Sequence, residues 1–319
     1  MKRILVICVL AVMILGGCAK KIPEEDTVMR VGSLKGPTTM GLVSLMQKSE
    51  EGKAEGKYEF RMAVLAEEIS AKIADGSLDI ALVPANLAAV LYQKTEGKIA
   101  VIDINTLGVL YALTGNAEIK SINDLAGKTV LSPGQGTTPE HVLRYLLKEN
   151  GVTDYEIEFV SEASEAAAIL KKDPSRIAVL PEPFASAVLL QNDAVKRVFS
   201  LSEVWDETSQ DSRMVTGVTI VRKEFLAAHP KAVQTFLKEH AESVAQIKAD
   251  TQSAASLIVR YGIIEKETAA ENSLPYCGLV CLTGNEMRNA LEGYLKVLFG
   301  QDPKSVGGKM PAEDFYYGE

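Results

Sequence analysis

The sequence is poor in the side chains that most often carry out chemistry in proteins. Its 319 residues include 3 His, 4 Cys and 1 Trp. So few ligands and nucleophiles disfavour a metal site or a histidine-dependent hydrolase. Basic residues are not in excess either, because 34 Lys and Arg stand against 42 Asp and Glu, whereas binding a phosphate backbone requires a basic face. We therefore expect no enzymatic activity, no cofactor, no metal and no nucleic-acid partner.

The start of the chain lacks an apolar run long enough to cross a bilayer. The run Ile4–Leu15 follows a basic start and falls short of the roughly 20 residues that a transmembrane helix needs. A basic start, a short apolar stretch and small residues after it are typical of a secretory signal. We predict that residues 1–17 are a signal peptide.

The residues that end this run are similar to a known processing site. Leu15-Gly16-Gly17-Cys18 resembles the bacterial lipobox, in which the cysteine receives lipid. We predict lipid on Cys18 and a polar, lipid-anchored linker over residues 18–27, which would hold the protein outside the cell membrane and attached to it. An ordinary signal peptide with an incidental cysteine is the alternative.

The rest of the composition fits a folded protein of about two domains. The chain is 47% hydrophobic and 24% charged, and a domain usually takes about 150 residues. Outside the predicted signal and its lipobox, the cysteines are Cys277 and Cys281. They can form a disulfide, half of a metal site, or two buried thiols. Because no second cysteine pair and no histidine lie near them in the sequence, buried thiols are favoured.

An internal repeat organises the chain. Met29–Thr39 has the pattern of a strand, a glycine-rich turn and the start of a helix, and Lys128–Thr138 has the same layout. Further on, Ile80–Leu91 matches Ile177–Val188, and each segment is an apolar strand, a proline turn and a helix. Short strands that alternate with helices predict crossover connections and parallel sheets buried on both faces.

These repeats predict an α/β fold of two pseudo-symmetric lobes with mainly parallel sheets. A strand-like run after each repeat, ending near Thr114 and at Arg222, would carry the chain between the lobes and form a two-stranded hinge beside a cleft. We predict residues 28–110 and 218–319 for lobe one and residues 111–217 for lobe two. The C-terminal third would return to lobe one as helices.

The predicted ligand site lies where the strands of the two lobes end. In open parallel sheets, ligands bind beyond the carboxyl ends of the strands, near helix N-termini. The candidate ligand-binding residues occupy the turns after these strands and the segment that returns to lobe one. They are Ser33, Lys35, Thr38, Thr39, Asn86, Gly134, Gln135, Gly136, Thr137, Thr138, Glu182, Trp205 and Thr216.

Several of these residues have a plain structural alternative. The threonine pairs would equally cap their helices, and Lys35 would equally be a solvated side chain. Glu182 either accepts hydrogen bonds from a ligand amine or has a structural role. Trp205 is expected in a polar loop over residues 201–213, where it either covers the cleft or packs under the loop.

Three segments resemble a known family. Asp124-Leu-Ala-Gly-Lys-Thr-Val130 leads into Pro133-Gly-Gln-Gly-Thr-Thr-Pro139, and Leu180-Pro-Glu-Pro183 follows. The third is Thr216–Ile220 with the helix entry Phe225–Pro230. With the lipobox and the repeat, they resemble the substrate-binding lipoproteins of bacterial ABC importers. The similarity is to the branch that binds nitrate, sulfonate, taurine and thiamine precursors and has a type II periplasmic-binding fold.

The resemblance implies a monomeric receptor that captures one small molecule between its lobes and delivers it to an ABC permease. A small organic ligand, such as a vitamin precursor or a sulfonate, is expected. A ligand-sensing lipoprotein that feeds a signalling receptor is an alternative. A secreted enzyme on the same fold is another, but the chain lacks the adjacent cysteines of the thiamine-precursor synthases, and none of its histidines is flanked by a nucleophile.

Overall fold

We describe the protein from a computed structural model, in which residues 27–209 and 212–318 are described. The predicted signal peptide, residues 1–17, and the predicted lipid attachment site, Cys18, lie outside the described residues. In the described part of the chain, no helix combines the length and the apolar character that a membrane span requires.

The strands form two sheets. In chain order they are β1 (Val28–Leu34), β2 (Lys57–Ala63), β3 (Ile80–Pro84), β4 (Ile99–Leu107), β5 (Leu110–Thr114), β6 (Lys128–Pro133), β7 (Tyr155–Val160), β8 (Ile177–Pro181), β9 (Lys196–Ser200), β10 (Val215–Arg222) and β11 (Leu279–Leu282). The six-stranded sheet has the order β11-β4-β10-β3-β1-β2. The five-stranded sheet has the order β7-β6-β8-β5-β9.

Helices connect the strands and cover both sheets. In chain order they are α1 (Pro37–Met40), α2 (Val43–Glu50), α3 (Ala66–Ala74), α4 (Ala85–Lys94), α5 (Thr138–Glu149), α6 (Ala163–Lys172), α7 (Phe184–Leu189), α8 (Leu201–Thr208), α9 (Lys223–Ala228), α10 (Pro230–Ala249), α11 (Thr251–Arg260), α12 (Glu267–Ser273) and α13 (Gly284–Gln301). Short 3₁₀ turns lie at Ile122–Leu125, Leu274–Tyr276, Pro303–Val306 and Glu313–Phe315.

Five strands of the first sheet repeat the arrangement of the second. β1 pairs in parallel with β2 and β3, as β6 does with β7 and β8. Next to each parallel trio lies an antiparallel strand that has crossed from the other sheet, β10 beside β3 and β5 beside β8. A further antiparallel strand follows in both sheets, β4 beside β10 and β9 beside β5. The two-lobed, pseudo-symmetric α/β fold is confirmed.

The chain passes from one sheet to the other at the carboxyl ends of the parallel strands. β10 runs against β3, so that Gly217, near its start, pairs with Pro84 at the end of β3. In the same way Leu110, the first residue of β5, pairs with Pro181 at the end of β8. The carboxyl ends of the parallel strands of both sheets therefore lie at the segments where the chain crosses between the sheets. The lobe limits at residues 110 and 217 stay a prediction, because a lobe is defined by relative motion rather than by sheet membership.

The segment around Trp205 differs from its prediction. Leu201, Val204 and Trp205 lie on one side of a helix, α8, and not in a loop. Ser200 caps this helix by accepting hydrogen bonds from two backbone N–H groups of the first turn. The apolar side is completely covered, and the Trp205 indole donates to Ser212 Oγ over 3.0 Å. Trp205 therefore packs in the core and does not cover the cleft.

The last long helix contacts both lobes. α13 packs against α4 and β4 on one side and against α5 on the other. The Trp205 ring lies between those of Tyr145 of α5 and Tyr294 of α13, tilted by 45° and 51° from them, with ring centroids 4.8 Å and 5.5 Å apart. α12 likewise packs against α7, and the assignment of the C-terminal helices to lobe one stays a prediction.

Candidate functional site

The first predicted turn of lobe one forms a compact hydroxyl network. Thr38 Oγ1 donates to the carbonyl oxygen of Leu34 over 2.8 Å, and Thr39 Oγ1 donates to Ser33 Oγ over 2.7 Å. All three hydroxyl-bearing residues are buried. A hydroxyl has one proton and two acceptor sites, so Thr38 would meet a ligand as an acceptor, whereas Thr39 is completely buried.

Next to this network the edge of lobe one is exposed and partly apolar. Lys35 is exposed, and its backbone N–H donates to Ala63 at the end of β2. The two residues that follow Ala63 are the exposed Val64 and Leu65, which are 76% and 65% accessible. Leu65 occupies the N-cap of α3, where polar residues are preferred. The sequence analysis did not include this apolar rim among the candidates. The signal for it was the apolar Leu65 directly before a helix, where a polar residue is usual.

The remaining lobe one candidate, Asn86, lies in the first turn of α4 and is half-buried. Within residues 27–209 and 212–318, no hydrogen bond engages its amide. Asn86 follows Pro84, the residue that pairs with Gly217 of β10. It is therefore near the crossing segments with both donors and its acceptor available.

The corresponding turn of lobe two is shaped by two glycines. Gly134 and Gly136 adopt φ of 78° and 73°, which favour glycine, and a Cβ on Gly134 would clash with Thr137 Oγ1. Thr137 Oγ1 donates to Gly134 O over 2.6 Å, while Gln135 is exposed at the tip. Thr138 hydrogen-bonds with Tyr294 of α13. The turn therefore offers Gln135 and its backbone to a ligand, while its threonine hydroxyls are engaged within the protein.

Glu182 has the structural role that the sequence left open. Its fully buried carboxylate forms an ion pair with Arg197 and accepts hydrogen bonds from Ser186 N and Ser186 Oγ, each at 3.1 Å. Burial raises the pKa of the Glu182 carboxyl, and the Arg197 charge opposes that rise. With its oxygens occupied inside lobe two, this carboxylate is not placed to accept hydrogen bonds from a ligand amine.

Arg197 joins the two lobes in a way that the sequence did not reveal. Its guanidinium lies 3.5 Å from the ring centroid of Tyr276 and 4.6 Å from that of Tyr111. Tyr111 Oη also donates to Tyr276 O over 2.9 Å. Tyr276 precedes β11 of the first sheet, whereas Tyr111 and Arg197 belong to the second. Their cation–π contacts therefore tie the C-terminal segment of lobe one to lobe two.

The returning strand brings a polar group without a partner to the crossing point. Thr216 lies in β10, and its buried Oγ1 has no hydrogen-bond partner among the described residues. Beside it, a Cβ on Gly217 would lie 2.6 Å from Asn105 Oδ1 and 2.9 Å from Thr38 Cγ2. The glycine therefore lets the hinge strand approach the hydroxyl network closely. Buried hydroxyls are nearly always paired, so Thr216 Oγ1 is a candidate for ligand contact.

The two cysteines outside the signal region are free thiols. Cys277 is fully buried and Cys281 is partly buried. Burial raises the pKa of both thiols. Cys281 lies in a cluster with Asp103 and His240 that could hold a metal ion.

A family model gives independent information about the chain. The model described as NMT1/THI5 like matches residues 70–254, which is more than half of the chain. No curated protein matches the sequence.

Solved structures share the fold at low sequence identity. An ABC transporter protein from Parabacteroides distasonis is 21% identical with a TM-score of 0.79, and the alignment covers 92% of this chain and 99% of that one. The periplasmic aliphatic sulphonate binding protein SsuA from Escherichia coli is 17% identical with a TM-score of 0.71, covering 93% and 92%. The periplasmic nitrate-binding protein NrtA from Synechocystis PCC 6803 is 13% identical with a TM-score of 0.54, covering 82% and 74%.

Proposed function

The chain belongs to the NMT1/THI5-like family, and on that premise we propose that it is the extracytoplasmic solute-binding component of an ABC importer. Proteins of the same fold include the sulphonate-binding and nitrate-binding proteins described above. The chain would capture a small molecule between its lobes and deliver it to a membrane permease.

One observation carries this proposal: the strand ends of both sheets meet at the segments where the chain crosses between them. Gly217 beside Pro84 and Leu110 beside Pro181 fix this geometry. Ligands of open α/β sheets bind at the carboxyl ends of the strands. A molecule held there would contact both lobes and would favour the arrangement in which both contact it.

We propose a small organic ligand with an apolar part, such as a sulfonate or a vitamin precursor. Val64 and Leu65 supply an apolar rim, and Lys35 supplies a cation beside them. Around them lie hydroxyl acceptors, the free Asn86 amide and the unpaired Thr216 hydroxyl. A ligand with one polar or anionic end and an apolar remainder fits this mixture of groups.

We further propose that the protein binds without chemistry, as a monomer anchored outside the cell membrane by lipid on Cys18. The threonine hydroxyls of the two turns donate their protons to a backbone carbonyl or to another hydroxyl and not to a general base. Such hydroxyls are positioned for recognition and are not activated as nucleophiles.

Calorimetry and thermal unfolding with candidate ligands test the proposal. The panel is aliphatic sulfonates, taurine, nitrate and pyrimidine vitamin precursors, and native mass spectrometry of the purified protein detects a retained ligand. We expect saturable 1:1 binding of at least one compound and a higher melting temperature. A panel that shifts nothing, together with an empty mass spectrum, would contradict the proposal.

Matched variants locate the site. Lys35→Ala and Gln135→Ala remove exposed side chains at the predicted cleft, and we expect each to weaken binding with little loss of stability. Lys94→Ala and Gln252→Ala remove the same side chains from exposed helix positions elsewhere on the protein. Equal affinity in all four variants would place the ligand away from these turns.

A further inference from the structure

Three potential metal ligands converge inside lobe one. They are Asp103 of β4, His240 of α10 and Cys281 of β11, and their ligand atoms all lie within 4.8 Å of one another. Asp103 Oδ2 is 3.1 Å from His240 Nδ1 and 4.0 Å from Cys281 Sγ. They are distant in sequence, so the pairing of β4 with β11 and the packing of α10 create the cluster.

The cluster contains a buried carboxyl group with few partners. Asp103 is completely buried, and it accepts hydrogen bonds from Thr219 Oγ1 at 2.7 Å and from His240 Nδ1. In the described part of the chain, no Lys or Arg forms an ion pair with it. A bound cation would compensate the charge of a carboxylate in this position.

We propose that Asp103, His240 and Cys281 bind one divalent cation of the zinc type. The donor set of one oxygen, one nitrogen and one sulfur suits zinc, which forms bonds of about 2.0 Å to oxygen and nitrogen and about 2.3 Å to sulfur. Tetrahedral angles then separate these ligand atoms by about 3.3–3.6 Å. The oxygen–nitrogen separation already lies near this range. The sulfur lies 4.0 Å from the oxygen and within 4.8 Å of the nitrogen, so it has to move inward to reach the range.

The charges of the occupied site balance. Cys281 has to lose its Sγ proton to water to bind the cation, and the imidazole has to bind through an Nδ1 that carries no proton. A divalent cation with the Asp103 carboxylate, the Cys281 thiolate and a neutral His240 imidazole then forms a site of zero net charge.

The surrounding residues hold the ligands in orientation. Thr219 donates to the second carboxylate oxygen of Asp103, and Asn105 Nδ2 donates to Thr219 Oγ1 over 3.2 Å. The His240 ring packs on Phe236 with centroids 5.6 Å apart. His240 Nε2 has no hydrogen-bond partner among the described residues and faces Gly41, so Nδ1 is the ligating atom.

A residue that lines a surface groove also contacts the sulfur side of the site. A groove of about 340 Å³ between α10 and the start of α13 is lined by Gln234, Leu237, Thr283, Gly284, Asn285 and Tyr317. The carbonyl oxygen of Leu237 lies 3.8 Å from Cys281 Sγ. A water molecule entering here, or this carbonyl, would complete four-fold coordination.

The test uses the untagged mature protein. After treatment with a chelator, Zn²⁺ is titrated by calorimetry and Co²⁺ by absorption spectroscopy, which reports thiolate coordination. We expect one equivalent of each metal, a sulfur-to-cobalt band, and a higher melting temperature with Zn²⁺. Cys281→Ala should abolish the band and weaken Zn²⁺ at least ten-fold, whereas Cys277→Ala, which removes the other free thiol, should leave both unchanged.

A variant beyond the direct ligands adds a graded readout. Thr219→Val keeps the shape of the side chain but removes the hydrogen bond to Asp103, and it should weaken Zn²⁺ binding about 10–100-fold. Wild-type protein that binds less than one equivalent, or shows no sulfur-to-cobalt band, would overturn the proposal and leave the cluster as a hydrogen-bonded pair of His240 and Asp103. The Co²⁺ spectrum of the wild type decides this even if a variant fails to fold.

Discussion

Removing the positive charge of Arg197 should leave the Glu182 carboxylate without its ion-pair partner inside lobe two. The side chain of Glu182 is 0% exposed and that of Arg197 is 15% exposed, so Arg197→Met would leave the charge of Glu182 unpaired in the interior. Breaking a buried pair from one side costs about 3–5 kcal/mol. At about 2–4 °C per kcal/mol for a large domain, we expect the melting temperature to fall by about 6–20 °C.

The pH dependence of this loss follows from the direction of the Glu182 pKa. Burial already raises the pKa of this carboxyl in the folded protein, and removing Arg197 raises it further. A raised carboxyl pKa means that the folded state holds the proton more tightly than the unfolded state. The free energy of unfolding therefore falls as the pH rises above the pKa that Glu182 has in the unfolded chain. The defect of Arg197→Met should therefore be large near pH 8 and should shrink on acidification, when Glu182 becomes protonated.

Urea unfolding measures the effect, and the fluorescence of Trp205 reports it, because this single tryptophan is buried between two tyrosines. The double variant Arg197→Met with Glu182→Gln removes both charges and should recover much of the stability. A loss below about 1 kcal/mol, the range of an exposed ion pair, or a double variant no more stable than the single one, would refute the reasoning.

Three further predictions concern the turns and the hinge. Gly134→Ala combines a left-handed φ with a clash and should cost about 1–3 kcal/mol in urea unfolding, whereas Gly136→Ala, with open space around its Cβ position, should cost less. The buried Glu239 carboxylate accepts hydrogen bonds from Glu55 N at 2.8 Å and Gly56 N at 3.0 Å, in the loop before β2. Glu239→Gln should weaken these bonds, so limited proteolysis should cut this loop faster. Thr216→Val should leave urea stability unchanged or raised, since its hydroxyl has no partner, and should weaken ligand binding in calorimetry.

The repeated units were predictable because their signals are local. Ile80–Pro84 and Ile177–Pro181 are apolar runs that end in a proline, and both form buried strands. A helix follows the first strand at once and the second after two residues. Their similarity in sequence reflects the similar place of the two strands in the two sheets. The fold class and the turns at the strand ends could therefore be derived from the residues.

Features that depend on distant partners could not be derived in this way. β9 at Lys196–Ser200 has a mixed burial pattern, and among the described strands it pairs with β5 alone, which comes much earlier in the chain. The role of Glu182 depends on Arg197 of that strand, and the ligand cluster around Asp103 joins three segments far apart in sequence. Only the tertiary structure shows such pairings.

A helix that touches both lobes changes how the protein can move. If the two crossing segments were the sole links, the lobes would swing about them freely. α13 packs on β4 and on α5, so a rotation of one lobe against the other must slide α13 along one of these two elements. The Trp205 and Tyr294 rings are closely packed there, and close packing resists such a displacement. We expect such a rotation to be a small shear that displaces Trp205 against Tyr145 and Tyr294. The fluorescence of Trp205 in the unmodified protein would then change if the proposed ligand moves the lobes.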